Sequence, residues 1–203
     1  EILGAKQHGV INVVGVSHFI RMLNKAVEEL SAGKFAEKSD EPEDVSVELP
    51  LTCYIPDSYI VSSKDKISVY QKMAGADTFE YLNEMKEDVV EDYGKMPKEV
   101  ANLFKVIELK IYAKKAGVLK VKADNVHMDK ERQVIFFQLS KKVKPENIMN
   151  LLDYNPKWQI VGNKLQIAIG DLGMSWVEEL EQCLIKLAEK MFGVAEKKPE
   201  GKK

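Results

Sequence analysis

Three histidines, two cysteines, a crowd of carboxylates and a run of lysines are the residues of this chain with the means to do chemistry. His8, His18 and His127 each stand without another His, Cys or acid at a metal-ligand spacing. His127 falls in a candidate strand and His18 beside Phe19 near a helix start, so both read as ordinary polar side chains. Cys53 and Cys183 lie far apart in apolar surroundings and read as buried thiols in a reducing cytoplasm. No G-x-x-x-x-G-K-[ST] loop and no Gly-rich dinucleotide fingerprint occurs, so nothing in the chain is built to cradle a nucleotide phosphate. These residues specify no independent active site, no metal and no cofactor.

The carboxylates carry more information. Glu84, Glu87, Asp88, Glu91 and Asp92 crowd the second half of a helical pattern that ends at Tyr93. Negative charge there opposes the helix macrodipole, at about 0.3–1 kcal/mol per exposed group. Glu84/Asp88 and Glu87/Glu91 are also like-charge pairs four residues apart, with only Lys86 to relieve them locally. A solvated face that tolerates the cost and an acidic patch for a basic partner both fit. Lys105, Lys110, Lys114, Lys115, Lys120 and Lys122 form the opposite feature, a stripe able to touch phosphates. They include no Arg and no interleaved aromatics, and the chain has a formal net charge of −2, so a solvated face is the stronger reading.

The elements that must position these groups are legible from periodicity. Apolar residues at Val16, Phe19, Ile20, Leu23, Val27 and Leu30 predict a helix, stopped by Gly33. Residues 34–44 are acidic and contain Pro42, which predicts a linker. Val45–Leu49 alternates as a strand does, and an extended stretch between Pro50 and Pro56 follows. Three helices are predicted next: Asp65–Ala74, one opened by the capping-box spacing Asp77/Glu80 and running to Tyr93, and one from Pro97 near N1 to about Ala116. The pattern then alternates at 119–123 and 134–139, with 126–128 as part of the same meander. A short helix at 145–152, a hairpin about Gly162-Asn163 and a closing amphipathic helix from Met174 to Phe192 complete the order. The lysine-rich tail from Ala195 has no apolar content after Val194 and reads as disordered. Helices first, then a small antiparallel sheet, then a C-terminal helix predict an α+β fold. No apolar run approaches a membrane span, so no membrane association and a cytoplasmic location are expected.

The opening segment runs Leu3-Gly4-Ala-Lys-Gln7-His-Gly9-Val-Ile11-Asn-Val-Val14-Gly15 and feeds the first helix. It lacks a Met and reads as a loop cut from something larger. It resembles the segment just past the last helicase motif of the bacterial transcription-repair coupling factor family and related branch-migrating helicases. The likeness continues in order through Gly15–Val27, Val45–Leu49, Tyr54–Ile60 and Lys66–Lys72, and Asp92-Tyr-Gly-Lys-Met-Pro97 is similar to the family's Arg-Phe-Gly-x-x-Pro turn. Through the hairpin and final helix the layout is similar and identity weaker.

The resemblance implies a division into residues 1–33, the end of the translocation motif and its helix; 34–44, a linker; 45–192, a C-terminal regulatory domain; and 193–203, the tail. It places Gln7, with Gly4 and Gly9, in the loop that couples ATP hydrolysis to DNA movement. It places the family's acidic pair on Asp88 and Glu91, among Glu84 and Glu87, and tips the acidic helix toward a docking patch. It implies a non-catalytic domain that packs on an N-terminal module similar to the nuclease subunit UvrB, masking the surface that recruits UvrA and restraining the motor. RNA polymerase, UvrA and double-stranded DNA are the partners implied for the parent. The alternative is a DNA-contacting accessory domain using the lysines from 105 to 122. Asp92 stands where the family usually has Arg, and His8 and Val10 depart from the usual residues beside the loop glycine.

Overall fold

A computed structural model describes residues 45–124 and 133–189. The opening loop, first helix, linker, His127 and tail therefore lie outside the described residues, and so do Gln7, Gly4 and Gly9. Two compact units emerge. The first takes the described residues up to Ile111 together with Lys120–Ala123; the second takes Tyr112–Leu119 and the described residues from Asp124 onward.

In the first unit, strand β1 (Ser46–Glu48) is followed by three helices: α1 (Ser63–Ala74), α2 (Phe79–Tyr93) and α3 (Lys98–Lys115), the last crossing into the second unit. The Ser62 hydroxyl caps α1 by accepting the Asp65 N–H at 3.2 Å. At α2 the cap is Thr78, which accepts the Tyr81 N–H at 3.3 Å. The expected Asp77/Glu80 box is thus one residue early: Thr78 takes the extended backbone of an N-cap and Asp77 lies outside the helix. Pro97 also shifts by one. Its carbonyl accepts from Ala101 at 3.0 Å, so it precedes α3 instead of occupying N1.

Along α3 Val100, Leu103, Phe104, Ile107 and Ile111 are buried on one side, and so are Val106, Leu109 and Ala113. A helix apolar on more than one face is one enclosed by the core. The extended stretch before α1 is tied down by two hydrogen bonds. The Ile55 N–H donates to the Tyr70 hydroxyl at 2.8 Å, and the Asn102 amide donates to the Thr52 carbonyl at 2.9 Å.

Strand β2 (Val118–Asp124) runs parallel to β1, with Ser46 opposite Lys120 and Glu48 opposite Lys122. This corrects the expectation of a wholly antiparallel sheet. The three helices between the strands are a crossover, and only a crossover connection can join parallel neighbours.

The second unit is a three-stranded antiparallel sheet with helices. Strand β3 (Val134–Leu139) pairs antiparallel with β5 (Lys164–Ala168), which pairs in turn with β4 (Gln159–Val161). Val161 lies opposite Lys164, so Gly162-Asn163 is the expected two-residue turn, and Gly162 takes φ 61°. Within this unit the strands take the order β3-β5-β4. Helix α4 (Pro145–Tyr154) runs slightly longer than expected. After β5 the chain makes a short turn, α5 (Ile169–Leu172), where Ile169 gives its N–H to the Gln133 carbonyl as a last ladder bond and Gly170 and Gly173 break the run. Helix α6 (Trp176–Ala188) buries Leu180, Cys183, Leu184 and Leu187, with Trp176 half-buried; the expected extension to Phe192 lies outside the described residues. Trp158 packs on Phe137 with ring centroids 4.5 Å apart. Among the described residues no helix is long and apolar enough to cross a membrane.

Candidate functional site

Helix α2 divides cleanly into two faces. Leu82, Met85 and Val89 are buried, while Glu84, Glu87, Asp88, Glu91 and Asp92 are all exposed. Asp88 and Glu91 are three residues apart and share a face, with Glu84 one turn before Asp88. No basic residue stands in the last turn of the helix. Its carbonyl end is satisfied by neutral donors: the Tyr59 hydroxyl reaches the Gly94 carbonyl at 2.8 Å and the Val89 carbonyl at 3.3 Å. Gly94 stops the helix at φ 80°, ψ −161°, a region essentially restricted to glycine. Neutral donors leave the negative end of the dipole uncompensated, so it adds to the field of the carboxylates.

Lys86 does not relieve the acids of its own helix, as its position in sequence suggests it should. Its ammonium bonds to Glu108 on α3 and sits 5.8 Å from the centre of the Phe104 ring. Glu108 also holds Lys105 at 3.0 Å. Burial alone would raise the Glu108 carboxyl, but the hydrogen bonds and charges of Lys86 and Lys105 outweigh it and hold the group below the usual glutamate value. Among the described residues no ion pair engages Glu84, Glu87, Asp88, Glu91 or Asp92.

Sequence reasoning missed one component of this surface. Val90 is 43% exposed, beside Glu87 and Glu91. With Met96, Lys86, Glu87 and Glu91 it lines a shallow depression of about 390 Å³. The available signal was its place off the line of Leu82, Met85 and Val89, on the polar side of the helix. An apolar centre within a charged rim is the usual anatomy of a protein docking surface.

The other candidates resolve differently. Lys120 and Lys122 lie 3.0 and 3.8 Å from Glu48, and Lys105 is held by Glu108, so half of the expected lysine stripe already faces carboxylates. Cys53 and Cys183 are buried free thiols, each pushed up to about 12 by burial, which leaves them inert as nucleophiles. Among the described residues no group of His, Cys, Asp and Glu is placed to hold a metal ion.

The model of the TRCF domain matches residues 49–148, a span that contains all of α1 to α3 and the whole acidic face. The transcription-repair-coupling factor of Bacillus subtilis (strain 168) is 32% identical over 187 residues, covering 91% of this chain and 15% of that protein. The chain belongs to the transcription-repair coupling factor family. Its relatives of the same name in Borreliella burgdorferi and Staphylococcus aureus (strain USA300) are 30% and 28% identical over 83% and 97% of this chain. The chain spans only 14% and 16% of these two coupling factors. A crystal structure of the C-terminal domain of a transcription-repair coupling factor superposes with a TM-score of 0.59 at 23% identity, covering 72% of this chain and 94% of that one. The described residues thus have the fold of the coupling factor's C-terminal domain.

Proposed function

We propose that this chain is a non-catalytic, autoinhibitory interaction domain of a DNA-repair translocase acting in transcription-coupled nucleotide excision repair. Its acidic helix docks on the UvrB-like module of the same parent chain, hides the surface that recruits UvrA, and restrains the motor. In that parent, RNA polymerase and double-stranded DNA are the other partners, and Gln7, Gly4 and Gly9 belong to the translocation motif. The observation that carries the reading is the exposed face of α2. Glu84, Glu87, Asp88 and Glu91 are exposed there, Glu87 and Glu91 border Val90, and the one lysine within that helix is engaged on α3. Such a face suits a basic surface with an apolar contact at its centre.

Each rim charge pair contributes about 0.2–1 kcal/mol, and more where docking excludes water. The joint substitution Asp88→Lys and Glu91→Lys in the full-length parent should leave this domain folded, since both side chains are exposed. It should raise retention of UvrA by the parent. A stably folded double variant that recruits no more UvrA than the parent reduces the acidic face to a solvated one. The rival reading, DNA contact through the lysines from 105 to 122, is weakened by the carboxylates that Lys105, Lys120 and Lys122 already face.

A further inference from the structure

The second unit carries a different charged feature, at one end of its sheet. Strand β3 ends at Leu139, whose N–H donates to the Asn163 carbonyl at 3.0 Å, so two turns lie side by side there. One is Gly162-Asn163. The other is Ser140–Val143, closed by the Val143 N–H on the Ser140 carbonyl at 3.3 Å and by the Lys142 N–H on the Ser140 hydroxyl, also at 3.3 Å. Its two corner residues are Lys141 and Lys142, both exposed. The first residue after the neighbouring turn is Lys164, also exposed, and Lys144 follows at the start of α4. No ion pair among the described residues engages Lys141, Lys142 or Lys164. Within residues 138–150 the only acid is Glu146, and within 159–168 there is none. In a chain of formal net charge −2, this is a local concentration of positive charge.

The strand face beside these turns is polar. Gln138 lies opposite Lys164 and Phe136 opposite Gln166, and the Gln166 amide donates to the Gln159 side chain at 3.3 Å. The Lys164 ammonium lies 4.6 Å from the centre of the Phe136 ring, so the one aromatic on this face is covered by a cation. That matters for what could bind. A single-stranded nucleic acid is held by bases stacked on open rings, and no open ring is offered here. Ammonium groups on adjacent turns, none in an ion pair among the described residues, suit a continuous line of phosphates, and a duplex supplies one charge per roughly 1.7 Å.

We propose that the paired turns 140–143 and 162–164 form a contact surface for the phosphate backbone of duplex DNA, through Lys141, Lys142 and Lys164. A contact made to phosphates positions the duplex and carries no sequence information. It uses none of the lysines between 105 and 122, although the Ser140 N–H donates to the Gly117 carbonyl at 2.9 Å.

Three phosphate contacts give a salt slope of about −2.7, so affinity should fall roughly 40-fold between about 50 and 200 mM salt. The test is a salt titration of the 203-residue chain with fluorescent duplex and single-stranded DNA of equal phosphate content. The variant is Lys141→Gln, Lys142→Gln and Lys164→Gln; the control is Lys120→Gln with Lys122→Gln, whose native side chains face Glu48. Expected are tighter binding of duplex than of single strand, a steep slope for the chain and the control, and loss of both affinity and slope in the variant. Because Lys164 packs on Phe136, a Lys141→Gln, Lys142→Gln variant is run in parallel. It should lose about two thirds of the slope, as two of three contacts go. Absence of duplex binding at the lowest salt, equal binding of single strand, or a variant that binds as the control does would each overturn the assignment.

Discussion

Glu108 holds two cations, and this sets how the first unit answers to pH. Lys86 and Lys105 both bond to its carboxylate, and burial, which would raise the group, is outweighed by them. A carboxyl whose value is depressed in the folded state stabilises the fold above its unfolded value, and that stabilisation is lost as pH falls through the folded one. The urea midpoint should therefore decline on acidification, and Glu108→Gln should show a flatter decline over the same range. Parallel pH profiles for the two proteins would remove Glu108 as a source of acid sensitivity. The same residue explains the charge of the neighbouring helix. By drawing Lys86 to α3, it leaves Glu87, Asp88 and Glu91 without their nearest counter-charge.

At the scale of the element, α2 is well started and expensively finished. Thr78 caps its first turn, Gly94 ends it in a glycine-only conformation, and Tyr59 supplies the donors that its last carbonyls need. The carboxylates of its second half work against its dipole, so the helix depends on the buried side of Leu82, Met85 and Val89 and on its cap. Thr78→Ala should cost about 1 kcal/mol in chemical denaturation. Asp77→Ala, one residue before the cap, should cost clearly less. The reverse ranking would mean that Asp77 caps the helix after all, as the Asp77/Glu80 spacing suggests.

For the whole molecule, each unit contains one buried thiol, Cys53 in the first and Cys183 in the second. Burial pushes both up to about 12, and Cys183 also receives the Trp158 indole N–H at 3.4 Å. Neither forms appreciable thiolate near pH 8, where an ordinary cysteine of value about 8.5 reacts readily. Alkylation of the native chain at pH 8 should label neither residue. Labelling across a urea series, read by peptide mapping, should then report the opening of each unit separately. Full modification of either cysteine under native conditions would show that its unit opens on the timescale of the reagent.

Local periodicity was enough for α1 to α4 and α6 within a few residues, for β3 at its observed limits, and for the Gly162-Asn163 hairpin, because amphipathic spacing and turn chemistry are properties of neighbours in the chain. The exposed acids of α2 were legible for the same reason: they lie off the apolar stripe. What the sequence could not determine depends on residues far apart. The parallel pairing of Ser46–Glu48 with Lys120–Lys122 joins segments separated by three helices. The burial of α3 on several faces is decided by what surrounds it, not by its own spacing. Lys86 sits among the acids of its helix, yet Glu108, 22 positions away, takes its charge. Lys141 and Lys142 stand apart from Lys164 along the chain, and only the β3–β5 register sets their turns side by side. Hydrogen-bonded register and long side chains reach across such distances, and neither leaves a trace in local composition.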